Sequence, residues 1–109
     1  MKFHNADIKN FKRLVKTETM SAQGQTNSYA VISNSDFKGK LDQLSASETT
    51  RESRNQYTAT HRLFIVGVSV PLVQSGRIRE TTNNIDYDIV SFEKLHNHHT
   101  EAILSEVTN

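Results

Sequence analysis

Three histidines, His96, His98 and His99, form the densest concentration of metal-ligand side chains in the chain. Imidazoles at that spacing are able to share a Zn²⁺ or Ni²⁺ ion. They fall in a predicted turn, however, and no pattern of supporting carboxylates accompanies them, so a solvated cluster is the expectation. Asp86 and Asp88 stand on one face of a predicted strand beside Tyr87. General acid–base work by two carboxylates needs an environment that separates their pKa values, and a half-exposed hairpin does not supply one. Ser45, Ser47, His61 and Asp42 include the residue types of a hydrolase triad, but no Gly-x-Ser-x-Gly elbow or oxyanion loop goes with them. The four glycines, Gly24, Gly39, Gly67 and Gly76, are too far apart to cradle a phosphate. The expectation is a protein that is not an enzyme and uses no metal or cofactor.

The elements that would position these groups are short and β-rich. Ile8 to Lys16 reads as a strand, with a helical turn as competitor, and the polar run Thr17 to Ser28 reads as a hairpin connection around Gly24. Tyr29 to Ser33 and Phe37 to Leu44 read as strands, and Gly39 within the second marks a bend, a bulge or a close backbone approach. Tyr57 to Val70 reads as one long strand ended by Pro71. Gly76 opens a hairpin, RIRETT and then IDYDIVSF, turning at Asn83-Asn84. A polar connection, Glu93 to His98, precedes a last strand from His99 to Val107, where AILSEV also suits a helical turn. About seven strands joined by polar turns predict an all-β fold, an antiparallel barrel or sandwich, with one long mobile loop and room for one short helix.

That loop is the widest gap in the pattern. Ser45 to Gln56 contains twelve residues with Ala46 as their only apolar side chain and no periodicity that would bury a face. Unstructured connections of that length are uncommon in small domains and are usually functional or disordered. Its charges, Glu48, Arg51, Glu52 and Arg54, sum to zero. A balanced loop suits pairing with copies of itself better than strong binding to DNA phosphates.

Composition narrows the class further. With 109 residues the chain fits one domain, residues 1–109. Its hydrophobic fraction is 35%, below the roughly 45–50% usual in soluble domains, so burial against neighbours would help it. A formal charge of +1 lacks the basic footprint of a phosphate-neutralising protein, and aromatic side chains are too sparse for a single-strand-binding platform. There is no cysteine, which removes disulfides and thiolate chemistry. No apolar leader segment and no run of about 18 apolar residues is present, so neither export nor membrane insertion is expected, and synthesis in the cytoplasm is the simpler reading.

Taken in order, several segments resemble the head-closure family of tailed phages, also called stopper or head–tail joining proteins. The carriers are Lys12-Arg13, the hairpin around Gly24, FKGKLDQLSASE, ATHRLFIV with Thr60, His61 and Arg62, GRIRETTNNIDYDIVSF, and HTEAILSEV. Together they span most of the chain. The resemblance implies a structural barrel subunit that forms a homo-oligomeric ring below the portal and adaptor proteins, at the head–tail interface of the virion. The ring closes the DNA channel after packaging and offers the attachment surface for a tail-completion protein. It implies steric contact with packaged double-stranded DNA, no membrane partner and no enzymatic activity. A tail-completion or tail-terminator protein on a similar barrel is the alternative. In this family a long loop projects into the channel, and the matching positions here are Ser45, Ala46, Ser47, Glu48, Thr49, Thr50, Arg51, Glu52, Ser53, Arg54, Asn55, Gln56 and Tyr57. Twelve extended residues reach up to ~40 Å, enough to obstruct a duplex-sized channel.

Overall fold

The first strand runs well past the polar residues where its sequence suggests a loop. The structure, a computed structural model, describes residues 8–53, 57–67, 69–73, 76–95 and 98–107. Its elements are β1 (Ile8–Ser21), β2 (Gly24–Val31), β3 (Phe37–Gln43), α1 (Ala46–Glu52), β4 (His61–Val66), β5 (Arg77–Glu80), β6 (Ile85–Leu95) and β7 (His99–Glu106). All strand pairs are antiparallel. The sheet order is β2-β1-β3-β4-β7-β6-β5, and β5 returns to pair with β1. Six strands therefore close into a barrel, and β2 lies outside the ring, paired only with β1.

β1 changes partners along its length. Ile8 to Phe11 pairs with β3, Phe11 to Leu14 pairs with β5 on the opposite edge, and Leu14 to Ser21 pairs with β2. At the handover from β2 to β3 the chain turns through Asn34, whose φ is +56°, and buries Ser35. The Ser35 hydroxyl accepts the Arg13 N–H at 3.0 Å and donates to the Ile32 carbonyl at 2.6 Å. A buried polar group satisfied on both sides pins this corner.

Alternation decides what fills the barrel. Phe11, Phe37, Leu63, Ile65, Ile78, Tyr87, Ile89, Ala102 and Leu104 point inward, each large one contributing on the order of 1.5–3 kcal/mol by burial. Phe11 and Phe37 stack at 5.4 Å between ring centroids. Leu72, from the segment after β4, packs into the same core. Gly39 faces it where β3 meets β4: a Cβ there would stand 2.8 Å from the Phe64 carbonyl oxygen and 2.7 Å from Leu63 Cδ1, so of the three alternatives at this glycine the close approach is the one present.

A bulge between Ile89 and Ser91 of β6 resets the alternation. Tyr87 and Ile89 face the core before it and Phe92 packs against the core after it, while Val90 joins a second cluster with Leu44, Ala59 and Ile103, against which Tyr57 packs.

Several expectations need correction. Thr17 to Ser28 is not a loop: the strands continue through it and only Ala22 and Gln23 form the turn. The strand expected over Tyr57 to Val70 is β4 alone; it ends at Val66, before Gly67 with a φ of +87°, ahead of Pro71. β6 continues through Leu95 into the expected polar connection, whereas the last strand stands where it was expected, with AILSE inside β7. Most important, Ser45 to Gln56 is not structureless, because it contains α1.

Candidate functional site

The connection singled out from the sequence begins with a capping box. The Ser45 hydroxyl accepts the Glu48 N–H at 3.3 Å, and the Ser45 N–H donates to Glu48 Oε1 at 3.3 Å. This Ser-x-x-Glu arrangement satisfies two helix-end donors at once, and it starts α1 from Ala46, Ser47, Glu48, Thr49, Thr50, Arg51 and Glu52. Ser53 ends the helix, its N–H donating to the Thr49 carbonyl at 3.1 Å. Seven residues rise only ~10 Å, so this stretch of the connection is shorter than an extended chain would be. Arg54, Asn55 and Gln56 lie outside the described residues. Tyr57 is half-buried against the outer cluster and does not project.

None of the helical residues is buried, so surface contacts hold α1. Glu48 Oε2 lies 3.0 Å from Arg62 Nη1 on β4. Arg62 also brings Nε to 3.0 Å from Glu101 Oε1 on β7; the two charges are close, but that N–H is not aligned as a hydrogen bond. The Ser53 hydroxyl accepts the Ala59 N–H at 3.0 Å. The Ser45 N–H and then the Ser45 hydroxyl hold the Glu48 carboxyl below the usual glutamate range against the opposing effect of burial, with Arg62 adding to the lowering. Arg51 stays largely exposed and reaches Glu52 at 3.5 Å and Glu48 at 4.0 Å. The helix is thus fastened to the barrel by an electrostatic latch at Arg62 and one hydroxyl, with no apolar face beneath it.

The other candidates separate. Asp86 and Asp88 are engaged by arginines across the β5–β6 hairpin, Arg79 Nε to Asp86 at 2.7 Å and Arg77 Nε to Asp88 at 2.9 Å. Ser45 and Ser47 contact each other at 3.3 Å at the start of α1, whereas His61 bonds through Nδ1 to the Thr60 hydroxyl at 2.9 Å and sets its ring edge-on to Tyr87. The structure does not bring these groups together as a nucleophile and base. Burial holds the His61 imidazole below its ordinary value, with Glu106 opposing, and burial followed by Glu106 and Glu80 pushes the Tyr87 hydroxyl up to about 12. His96 lies outside the described residues; among the described residues no group of three or more metal-ligating side chains is assembled.

Sequence reasoning missed one feature of the same scale as the connection. β1 and β2 continue beyond the barrel as a two-stranded arm, from the register pair Leu14–Val31 to Ser21–Gly24. Its base is tied down: Arg77 lies 3.7 Å over the Tyr29 ring, and Leu14 is buried. The available signal was the spacing of Thr17, Thr19 and Thr26, β-branched residues suited to strands. The chain matches no protein-family model and no curated protein.

Proposed function

We propose that this protein is a head-completion, or stopper, subunit of a tailed-phage connector. It forms a ring with copies of itself below the portal and adaptor, closes the DNA channel by steric obstruction after packaging, and presents the surface to which a tail-completion protein attaches. Its place is the head–tail interface of the virion. It performs no catalysis and takes no cofactor.

One observation supports this reading beyond the family resemblance: residues 46–52 of the Ser45–Tyr57 connection form a short helix, none of whose residues is buried, held against a filled barrel by surface contacts. The barrel interior is occupied by apolar side chains, so it is a scaffold, and the connection is the part able to change state. Helices of this length are marginal alone, and segments without buried contacts open at low free energy. A gate built this way rests latched on Arg62 and rearranges when a cation of a neighbouring subunit competes for Glu48, or DNA phosphates compete for Arg62, without unfolding the barrel. This is an order–disorder switch of a segment.

DNA-filled heads lacking this protein provide the test. Adding the wild-type chain should stop DNA release and allow tails to attach. A variant with residues 46–52 replaced by a Gly/Ser linker should still bind the connector but leak DNA. If the wild-type chain neither binds the connector nor retains DNA, the stopper reading is wrong; if the linker variant retains DNA fully, the gate lies elsewhere.

A further inference from the structure

We infer that the β1–β2 arm joins copies of this chain head to tail, the outer edge of β2 in one subunit pairing with the free edge of β1 in the next. The inference deepens the ring reading and rests on it only for the head-to-tail arrangement.

The backbone directions follow from two bonds. Ile32 donates its N–H to the Arg13 carbonyl, so alternation along the antiparallel ladder turns Ser28 and Ala30 toward β1 and Asn27, Tyr29 and Val31 away from it. On the other side of β1, Thr81 donates to the Asn10 carbonyl, which places Lys12, Leu14, Lys16, Glu18 and Met20 on the β5 side. β5 stops at Arg77, opposite Leu14. The backbone groups of Lys16, Glu18 and Met20 therefore have no strand beside them among the described residues, and neither do those of Asn27, Tyr29 and Val31. Among the described residues the arm thus presents two edges without a neighbouring strand, on opposite sides.

Natural sheets guard such edges with charge, proline or a bulge. β2 has none of these: no Asp, Glu, Lys, Arg or Pro occurs between Thr19 and Ser35, and its register with β1 is unbroken. Among the described residues, three of the five exposed large hydrophobic side chains, Val15, Met20 and Val31, belong to the arm, whereas an isolated two-stranded ribbon is marginal in water. A heterologous contact, repeated, covers both edges, whereas pairing of like edges leaves the other one open. Two β1 edges pairing antiparallel over the span clear of β5, Val15 to Ser21, would centre on Glu18 and set it against its own copy, and like charges directly opposite are unfavourable. β2 carries no charge to oppose Lys16 or Glu18. A second copy of this chain thus supplies the complementary edge, and repetition of one heterologous contact closes a ring when the rotation permits.

Two proline variants test this on the full-length chain. Asn27→Pro removes an outward donor from β2, and Glu18→Pro removes one from β1; neither N–H serves the hairpin itself. Sedimentation of the purified wild-type chain should show concentration-dependent oligomers, and each variant alone should associate at least ~10-fold more weakly. An equimolar mixture should form one-to-one dimers, because each variant keeps the edge the other lacks. A variant that dimerises alone, a mixture that stays monomeric, or a wild-type chain monomeric at every concentration overturns the inference. Independently of the variants, amide exchange at Lys16, Glu18, Tyr29 and Val31 should slow at least ~10-fold on wild-type assembly; unchanged exchange in the oligomer also overturns it. Arm-mediated oligomers that fail to retain DNA would remove the stopper reading and leave this inference standing, whereas DNA retention by both proline variants would do the reverse.

Discussion

Replacing Ser45 with alanine should loosen α1 without touching the barrel. Ser45 accepts the Glu48 N–H and anchors the reciprocal bond from Glu48; loss of an N-cap serine costs about 1 kcal/mol. Because no residue of α1 is buried, nothing apolar offsets that loss, and the helix's local opening equilibrium should shift about fivefold toward the unwound form. The assay is hydrogen exchange at the Thr49 and Ser53 amides, which donate to the Ser45 and Thr49 carbonyls. Both should exchange about fivefold faster, while the Leu63 and Leu104 amides, in the barrel core, keep their rates and the denaturation midpoint stays in place. Acid should act in the same direction on the wild-type chain. The Glu48 carboxyl is held low in the folded state, so its contribution is present above the ordinary glutamate range and lost as pH falls through the lower folded value. Equal acceleration of helix and barrel amides would show that α1 does not open as a separate unit, and the latch argument would fail with it.

Three further outcomes follow from the barrel. Gly39→Ala should lower stability by ~1–3 kcal/mol in chemical denaturation, because its Cβ would meet the Phe64 carbonyl and Leu63; a neutral result would mean that β3 and β4 are not so closely apposed. His61 is held below 6.5 by burial, so the unfolded chain takes up a proton first as pH falls. Its contribution is whole above about pH 6.5 and declines as pH falls through the depressed folded value, and His61→Gln should flatten stability across that window. Tyr87 titrates near 12 in the folded chain instead of 10.0, so stability should fall by about 1 kcal/mol between pH 9 and 11, a loss absent from Tyr87→Phe.

The parts of this fold that were legible in the sequence are those with one wet and one dry face. Phe37 to Leu44 and Ile85 to Phe92 alternate because one side fills the barrel, and of the bend, bulge or close approach that Gly39 marks, the backbone shows the close approach. The arm was illegible for the converse reason. Beyond Leu14 it buries almost nothing, so Thr17 to Ser28 carries no hydrophobic pattern and its polar composition imitates a turn. The helix in the connection was hidden by the same lack of an apolar stripe, although Ser45 and Glu48 spell a capping box that needs none. Tyr57 to Thr60 looked like the start of β4 because Tyr57 and Ala59 alternate. They do pack, but on the outside of the wall against Val90 and Ile103, where a bulge that periodicity does not reveal has turned Val90 outward. The connection therefore remains the candidate gate, now as a latched helix in place of an extended loop.

The central claim is tested most directly by an electron-microscopy map of the virion neck with this chain located in it. The account predicts a ring of barrels below the adaptor, with the Ser45–Tyr57 connection of each subunit at the channel axis. A map that places this chain in the tail, or turns that connection to the outside of the ring, would contradict it.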